Sequence, residues 1–273
     1  MLSMTTDYAS STLPPEPYLR RIAAAGFSHI HWCHQWNTAY LYEEAEIERL
    51  AALLGELGLR LLDLHTLVLD GRYCATAEKE AAEKGFAVLA NRVRMAARLG
   101  SDTVVLHPPE PRPDEGERVF EASFRLIDRL REVCAPLGVR LAFENLFCAG
   151  TWEVLERILD RCDPAFAGLC YDSGHGNLVP GSLDRLERLR GRLFSVHLHD
   201  NDGTADQHLL PFAGTVDWER LASILAASSY RRPISMESNT RVQVAADEAA
   251  YLAQAFAAGR RLDEMVNRRA RRG

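Results

Sequence analysis

The fold class follows from residues 138–175, which read GVRLAFENLFCAGTWEVLERILDRCDPAFAGLCYDSGH. This stretch contains a short apolar run ending in Glu144, an amphipathic segment at 151–161 and a second apolar run ending in Asp172. Short apolar runs predict buried strands, and apolar residues spaced three and four apart predict the helix between them. Gly138 stands just before the first strand, where the glycine that ends a preceding helix belongs. The stretch therefore predicts a strand–helix–strand unit of a parallel sheet.

Units of the same kind occur along the whole chain. The predicted strands are Leu2–Thr6, Phe27–Cys33, Arg60–His65, Thr103–His107, Arg140–Glu144, Ala167–Asp172, Leu193–His199 and Pro233–Glu237. The helical patterns cover about 15–25, 42–57, 76–98, 115–137, 151–161, 182–190, 217–228 and 243–258. Eight such units in 273 residues predict an α/β fold, the (β/α)8 TIM barrel. The alternative, a doubly wound sheet, is expected to carry a G-x-G-x-x-G turn, and the chain has none.

No linker rich in proline or serine divides the chain, so we expect residues 1–273 to form a single domain. A basic tail begins at about residue 260 and contains six arginines. We interpret this tail as a solvated or frayed helix end, with a contact to nucleic acid or to a partner as the alternative. The predicted helix at 243–258 and the apolar faces of the outer helices could support a homodimer.

The composition is that of an ordinary globular protein, with 47% hydrophobic residues, 26% charged residues and a formal net charge of −6. This charge argues against a whole-surface basic field that grips nucleic acid. The only lysines, Lys79 and Lys84, lie in a charged helical pattern, which argues against Schiff-base chemistry. The cysteines form no C-x-x-C pair, and neither a signal-peptide pattern nor an apolar run of ~18 residues is present. We therefore expect a reduced, cytoplasmic protein without a membrane segment.

Ionisable side chains stand at the ends of six consecutive predicted strands, from the third to the eighth. They are His65, His107, Glu144, Asp172, the pair His197 and His199, and Glu237. The carboxyl ends of parallel barrel strands line one mouth, so these groups are expected to converge there. A buried carboxylate neutralises, pairs or binds a metal, and no Arg or Lys stands at these strand ends. The pattern therefore predicts a site for zinc, manganese or a similar divalent ion.

Further candidate ligands follow two of these strands. His175 stands three residues after Asp172, and Asp206 and His208 form a D-x-H pair in the loop after the seventh strand. A D-x-H pair alone is a weak signal, because loops often contain one. Here the pair follows the segment His197-Leu198-His199-Asp200-Asn201, which makes a chance occurrence less plausible.

Taken together, these segments resemble the xylose isomerase-like TIM-barrel superfamily, which contains sugar and sugar phosphate isomerases, epimerases and endonuclease IV-type AP endonucleases. The segments that carry the resemblance are Phe143–Asn145, Tyr171–His175, Val196–Asn201, Asp206–His208 and Ser235–Glu237. For the isomerase-type members, the resemblance implies one divalent ion (Mn, Zn, Mg or Co) held by four ligands: Glu144, Asp172, His197 and Glu237.

The same resemblance implies a proton-transfer mechanism on a small, sugar-like substrate. The ion chelates a carbonyl and a neighbouring hydroxyl of an open-chain ketose and so acidifies the adjacent C–H. Glu144 and Glu237 are the implied catalytic residues: one removes the proton and the other returns it. Return to the same carbon on the opposite face is epimerisation, and return to the neighbouring carbon is isomerisation. His175 is the expected polar contact to a substrate hydroxyl or oxyanion.

Endonuclease IV supplies the alternative interpretation, because the chain has a residue of fitting type for each ligand of its three zinc ions. The implied sets are His65, His107 and Glu144; Glu144, Asp172, His197 and Glu237; and His175, Asp206 and His208. The acidic net charge and the hydrophobic loop Leu209–Trp218 favour the isomerase-type members instead. We therefore expect an isomerase or epimerase that does not act on nucleic acid, with a dehydratase or lyase reaction on the same barrel as a further alternative.

The second predicted strand and its loop supply the candidates for substrate binding. His31 and His34 could donate hydrogen bonds to hydroxyls, and Trp32 and Trp36 could stack on the apolar face of a sugar. Candidate phosphate contacts are Arg72, Arg112 and Arg241, all in expected mouth loops. The sequence leaves open a free sugar, a sugar acid, a cyclitol and a phosphorylated sugar.

Overall fold

The computed structural model describes residues 1–68, 79–110, 116–240 and 247–271 and confirms the (β/α)8 TIM barrel. Its strands are β1 Leu2–Thr5, β2 His29–Trp32, β3 Arg60–Val68, β4 Thr103–His107, β5 Arg140–Glu144, β6 Ala167–Asp172, β7 Leu193–His197 and β8 Ile234–Met236. All paired neighbours are parallel, in the order β7-β6-β5-β4-β3-β2-β1-β8. A parallel bridge between Leu198 and Met236 brings the two ends of the sheet together.

The helices surround this sheet. They are α1 Glu16–Ala24, α2 Glu44–Leu57, α3 Lys79–Arg98, α4 Gly116–Cys134, α5 Ala149–Arg161, α6 Ser173–Asn177, α7 Ser182–Leu189, α8 Trp218–Ala227 and α9 Glu248–Ala270. Strands such as β6 are buried along their whole length because helices cover one face and the barrel interior the other. None of the helices in the described ranges is long and apolar enough to cross a membrane.

The barrel interior changes from apolar to polar towards the mouth. Val105, Ala142 and Cys170 form a small buried apolar cluster inside the barrel. Two positions further along β5 and β6 stand Glu144 and Asp172, on the same faces as Ala142 and Cys170 because side chains alternate along a strand. The apolar cluster therefore lies inside the barrel directly below the polar groups of the mouth.

The last helix is longer than the sequence pattern suggested. We expected it to end near residue 258 with a basic tail from about 260, but α9 continues to Ala270. Gly259 lies inside the helix and does not end it. A Cβ at this position would lie 3.1 Å from Leu2 and 3.2 Å from Met236, so the glycine allows close packing against the barrel. Arg268 and Arg269 lie in the last turn, where positive charge complements the helix dipole.

Candidate metal and catalytic site

Four carboxylate and imidazole groups meet at the mouth of the barrel. Glu144, Asp172 and His197 end β5, β6 and β7, and Glu237 directly follows β8. One ligand atom of each side chain lies within 4.8 Å of those of the other three. Nδ1 of His197 is 3.2 Å from a carboxylate oxygen of Glu144 and 3.0 Å from one of Glu237. The structure therefore brings together the four residues that the sequence analysis grouped as ligands of one ion.

These donor atoms fit a bound divalent cation. Glu144, Asp172 and His197 are almost completely buried, and no Lys or Arg appears among their ion-pair partners in the described ranges. Oε2 of Glu144 and both ring nitrogens of His197 are buried without a hydrogen bond of good geometry. Buried polar atoms without partners are costly, and a cation between them would satisfy several at once. Three carboxylates and an imidazole are ligands that manganese, zinc and similar ions accept.

The histidines around the two glutamates keep both carboxyl groups ionised. Burial raises the pKa of Glu144, but His197, His107 and His175 outweigh burial and bring this pKa well below its usual value. Burial likewise raises the pKa of Glu237, and His197 and His31 outweigh it, so the net shift is again downward. Ionised carboxylates are the form that binds a cation and the form that accepts a proton.

Two further predicted histidines extend the site towards β3 and β4. Nε2 of His65 is 3.2 Å and Nε2 of His107 is 3.5 Å from the same Glu144 oxygen, and the two nitrogens are 3.1 Å apart. Burial lowers the pKa of His65. The ring of Trp36 covers both histidines, with its centroid 4.8 Å from that of His65 and 5.5 Å from that of His107. Trp36 thus lies at the site, as predicted for a substrate-contacting residue.

On the other side of the site, a histidine that the sequence analysis left unassigned joins the predicted group of His175, Asp206 and His208. Asp206 lies 3.3 Å from Nε2 of His175 and 3.1 Å from Nε2 of His208. His199 contacts Asp172 at 3.0 Å and stacks on the His208 ring at 4.0 Å between centroids. The H-x-H spacing from His197 was the available signal, because alternate residues of a strand share a face.

Hydrogen bonds with Asn145 position Asp172 and His175. The Asn145 side chain donates to the carbonyl of Asp172 at 2.9 Å and accepts from its N–H at 2.8 Å. The Asp172 carboxylate accepts from the N–H of His175 at 2.6 Å and so caps α6. Nδ1 of His175 lies 2.9 Å from the Asn145 carbonyl, which turns Nε2 towards Asp206. Asn145 was expected only as part of the Phe143–Asn145 motif, and this positioning role was not predicted.

The other residues expected to bind substrate, His31, His34 and Trp32, are buried and do not line the cavity. His31 is fully buried beneath Glu237, with Nδ1 2.6 Å from Asp63 and Nε2 3.5 Å from Glu237. His34 contacts the Leu13 carbonyl and Tyr42, and Trp32 donates to the same tyrosine from the core. Neither His34 nor Trp32 lines the cavity, because both side chains are buried and form hydrogen bonds with Tyr42.

The mouth encloses a cavity of about 160 Å³. Its described lining includes Glu144 and Glu237 but not Asp172 or His197, which lie deeper. Trp36 and Phe147 also line it, and no Lys or Arg is among the described lining residues. A cavity of ~150 Å³ holds a molecule of the size of benzene, so this one fits a small molecule. The arginines considered for phosphate binding, Arg72, Arg112 and Arg241, lie outside the described residues.

Comparison with known proteins agrees with the fold. A family model described as a xylose isomerase-like TIM barrel matches residues 19–255. The uncharacterized protein y4fM of Sinorhizobium fredii is 35% identical over 272 residues, which cover 90% of this chain and 87% of that protein. Two matches are shorter. Endonuclease 4 of Thermus thermophilus is 34% identical over 46% of this chain and 49% of its own length. Inosose dehydratase of Bacillus licheniformis is 30% identical over 32% of this chain and 29% of its own length.

Solved structures share the architecture over nearly the whole chain. A D-psicose 3-epimerase in the presence of D-fructose has a TM-score of 0.79 at 17% identity and covers 97% of this chain and 99% of its own. A D-tagatose 3-epimerase-like protein has a TM-score of 0.77 at 19% identity, and the match covers 98% of this chain and 99% of that protein. The IOLI protein with a bound zinc atom has a TM-score of 0.71 at 18% identity and covers 98% of each chain. At these identities, the likeness establishes the fold alone.

Proposed function

The chain belongs to the xylose isomerase-like TIM-barrel family, and from this premise we propose that it is a divalent-metal-dependent isomerase or epimerase of a sugar or sugar phosphate. One observation carries the proposal: the ligand atoms of Glu144, Asp172, His197 and Glu237 lie within 4.8 Å of one another, and the described lining of the cavity beside them includes no Lys or Arg. A divalent cation held there would polarise a substrate carbonyl and acidify the neighbouring C–H. The names of two solved structures with the same fold, a D-tagatose 3-epimerase-like protein and a D-psicose 3-epimerase, support this choice of substrate class.

Glu144 and Glu237 are the proposed acid–base pair. They project from β5 and from the end of β8, and each reaches His197 Nδ1 with one carboxylate oxygen. One carboxylate would remove the proton from a substrate carbon, and the other, protonated first from solvent water, would return a proton from another direction. The surrounding histidines lower the pKa of both groups, which keeps the carboxylate that removes the proton ionised at neutral pH.

The remaining cavity groups would orient a polyhydroxy substrate. His175 and Asp206 offer polar atoms for hydroxyl groups on one side of the cavity. Trp36 and Phe147 offer apolar faces on which the carbon skeleton can pack. The cavity of about 160 Å³ favours a small molecule over a polymer.

Solvent-exchange labelling tests this function directly. Ketoses are incubated in heavy water with the manganese-loaded protein, and we expect deuterium at the carbon next to the carbonyl. Glu144→Gln and Glu237→Gln should each lower the exchange rate at least ~100-fold, because each removes one proton-transfer group. Glu132→Gln, the same change at an exposed position, is the control and should keep the wild-type rate. Turnover of a ketose with no uptake of solvent hydrogen would refute the proposal.

A trinuclear zinc phosphodiesterase is the second candidate, because two further ligand groups flank the first. His65 and His107 adjoin Glu144, and His199 and His208 adjoin Asp206. The partial match to Endonuclease 4 points the same way. Three zinc ions per chain together with cleavage of duplex DNA at an abasic site would establish this candidate. Loss of water from a cyclic polyol, detected by mass spectrometry, would instead indicate a dehydratase.

A further inference from the structure

A second group of potential metal ligands lies beneath the first site, where β2 meets the end of β8. Nε2 of His31 is 2.9 Å from Sγ of Cys33 and 3.5 Å from Oε1 of Glu237. Sγ of Cys33 is 3.7 Å from the same oxygen. We propose that His31, Cys33 and Glu237 form a second cation site, selective for a thiophilic divalent ion such as zinc, which shares Glu237 with the first site.

The spacing of the three atoms suits a small tetrahedral ion. Nitrogen, oxygen and sulfur ligands at 2.0–2.3 Å from zinc lie roughly 3.3–3.7 Å apart when the geometry is tetrahedral. Both distances to Glu237 fall in or next to this range, at 3.5 and 3.7 Å. The distance of 2.9 Å between His31 and Cys33 is shorter, so these two side chains would separate slightly when an ion binds. A water molecule would supply the fourth ligand.

His31 is oriented as a metal-binding histidine is. Its Nδ1 lies 2.6 Å from Asp63, whose other oxygen accepts a hydrogen bond from the Ser195 hydroxyl. When Nδ1–H donates a hydrogen bond to the Asp63 carboxylate, the deprotonated Nε2 can bind an ion, and it faces Cys33 and Glu237. The N–H of Cys33 donates to Thr6 at 2.9 Å, which fixes the backbone that carries the thiol.

The two oxygens of Glu237 face different sites. Oε2 lies 3.0 Å from His197 in the first site, and Oε1 faces His31 and Cys33 in the second. A carboxylate that bridges two ions ~3.5–4 Å apart is a common feature of two-metal sites. The side chain of Glu237 is 11% exposed while His31 is fully buried, so an ion would enter from the cavity past Glu237.

The ligand types separate the two sites by chemistry. The first site offers three carboxylates and one imidazole, which magnesium, manganese and zinc all accept. The second contains a thiolate, which selects zinc or cobalt over magnesium and manganese. Binding requires loss of the Cys33 proton and of the Nε2 proton of the protonated His31 to solvent, because the thiolate and the neutral imidazole are the ligands. In the described ranges, none of the hydrogen-bond or ion-pair partners of His31 and Cys33 is a Lys or Arg.

An occupied second site would affect catalysis, a consequence that rests on the proposed function. The ion would bind Oε1 of Glu237 and reduce the ability of that carboxylate to exchange a proton. We therefore expect excess zinc to inhibit the manganese-loaded wild-type protein, and Cys33→Ala to relieve that inhibition.

Cobalt titration tests the second site without any measurement of activity. Metal-free, full-length protein is titrated with Co²⁺ and followed by metal analysis and by absorbance. We expect two ions per chain, with a thiolate-to-cobalt charge-transfer band in the near ultraviolet that grows with the second ion. Titration with Mn²⁺ should give one ion per chain. Cys33→Ala should bind one Co²⁺ without the band, whereas Cys134→Ala, which changes a buried cysteine in α4, should behave as the wild type.

Two further variants keep the test decisive if Cys33→Ala is unstable. Cys33→Ser preserves the size of the side chain and should also lose the band, and His31→Gln should lose the second ion but retain the first. A wild-type protein without the band, or a band that persists in both Cys33 variants, would overturn the proposal. Failure of the proposed function would instead appear as absent deuterium exchange and would leave the cobalt titration unchanged.

Discussion

The side chains at the mouth pack so closely that even one added methyl group would displace a neighbouring residue. Gly174 illustrates this, because a Cβ at that position would overlap the His199 ring. His199 is completely buried and contacts the Asp172 carboxylate at 3.0 Å. The missing side chain of Gly174 therefore allows His199 to support a ligand of the candidate metal ion.

Gly174→Ala tests this role. The added methyl group should displace His199 and leave Asp172 less well oriented, which we expect to weaken manganese binding about 10- to 100-fold, as is typical when a residue that supports a metal ligand is lost. Isothermal titration with Mn²⁺ measures the affinity. Gly55→Ala in α2 is the matched control, because nothing lies within 4 Å of its added Cβ, and its affinity should not change. Equal affinities in the two variants would contradict the role of His199.

Whole elements are held together at the end of the barrel opposite the site. Arg232, just before β8, donates to Thr103 of β4 at 2.6 Å and to the Leu62 carbonyl of β3 at 2.7 Å. Asp102 lies 2.9 Å from Arg232 and 2.8 Å from Arg140 of β5. These contacts join four strand starts, and residues at this end of a TIM barrel usually serve stability.

The Asp102 pairs predict a pH-dependent stability. Burial raises the pKa of Asp102, but Arg232, Thr103 and Arg140 outweigh burial and lower it overall. A lowered folded-state pKa stabilises the protein above the unfolded value of about 3.9, and this stabilisation is lost as the pH falls through the folded-state pKa. Because the side chain is 50% exposed, we expect Asp102→Asn to cost about 1 kcal/mol or less at pH 7, or about 2–4 °C in Tm.

Thermal unfolding between pH 7 and pH 3 measures this effect. The difference in Tm between Asp102→Asn and the wild type should shrink as the pH falls below about 4. Asp128→Asn, at an exposed position of α4, controls for the change of charge and should leave the Tm unchanged at each pH. A difference that stays constant over the whole range would show that the ion pairs of Asp102 do not stabilise the barrel.

The molecule as a whole concentrates buried negative charge at one end. Asp63, Glu144, Asp172 and Glu237 are all buried around the axis of the mouth, and their described ion-pair partners are histidines. A cation that binds the folded chain and not the unfolded chain stabilises the fold by mass action. The candidate site should therefore link metal binding to the stability of the whole barrel.

Thermal unfolding with and without metal tests this linkage. At a manganese concentration of about 100 times the Kd, the stabilisation is about 2.7 kcal/mol, which corresponds to a rise in Tm of roughly 5–10 °C. A chelator should reverse the rise. Glu237→Gln should reduce the shift to less than half, whereas Glu132→Gln, at an exposed position, should keep it. A wild-type Tm that is insensitive to manganese, zinc and cobalt would refute a resident cation.

Local patterns in the chain were sufficient for the barrel and for the core of the candidate site. Alternation along β5 and β6, together with the common direction of parallel strands, placed Glu144 and Asp172 at one mouth before any contact was known. The same reasoning grouped His197 and Glu237 with them. These features follow from the sequence because a strand's period and direction are properties of a few consecutive residues.

Other features depended on contacts between residues far apart in the chain. His31, in β2, lies under Glu237, whereas His34, two residues after the end of β2, contacts Tyr42 and the carbonyl of Leu13. His199 entered the site because Gly174, 25 positions earlier, leaves room for its ring. Such placements arise only when the barrel closes and side chains compete for the same volume, and a local pattern contains no information about that competition.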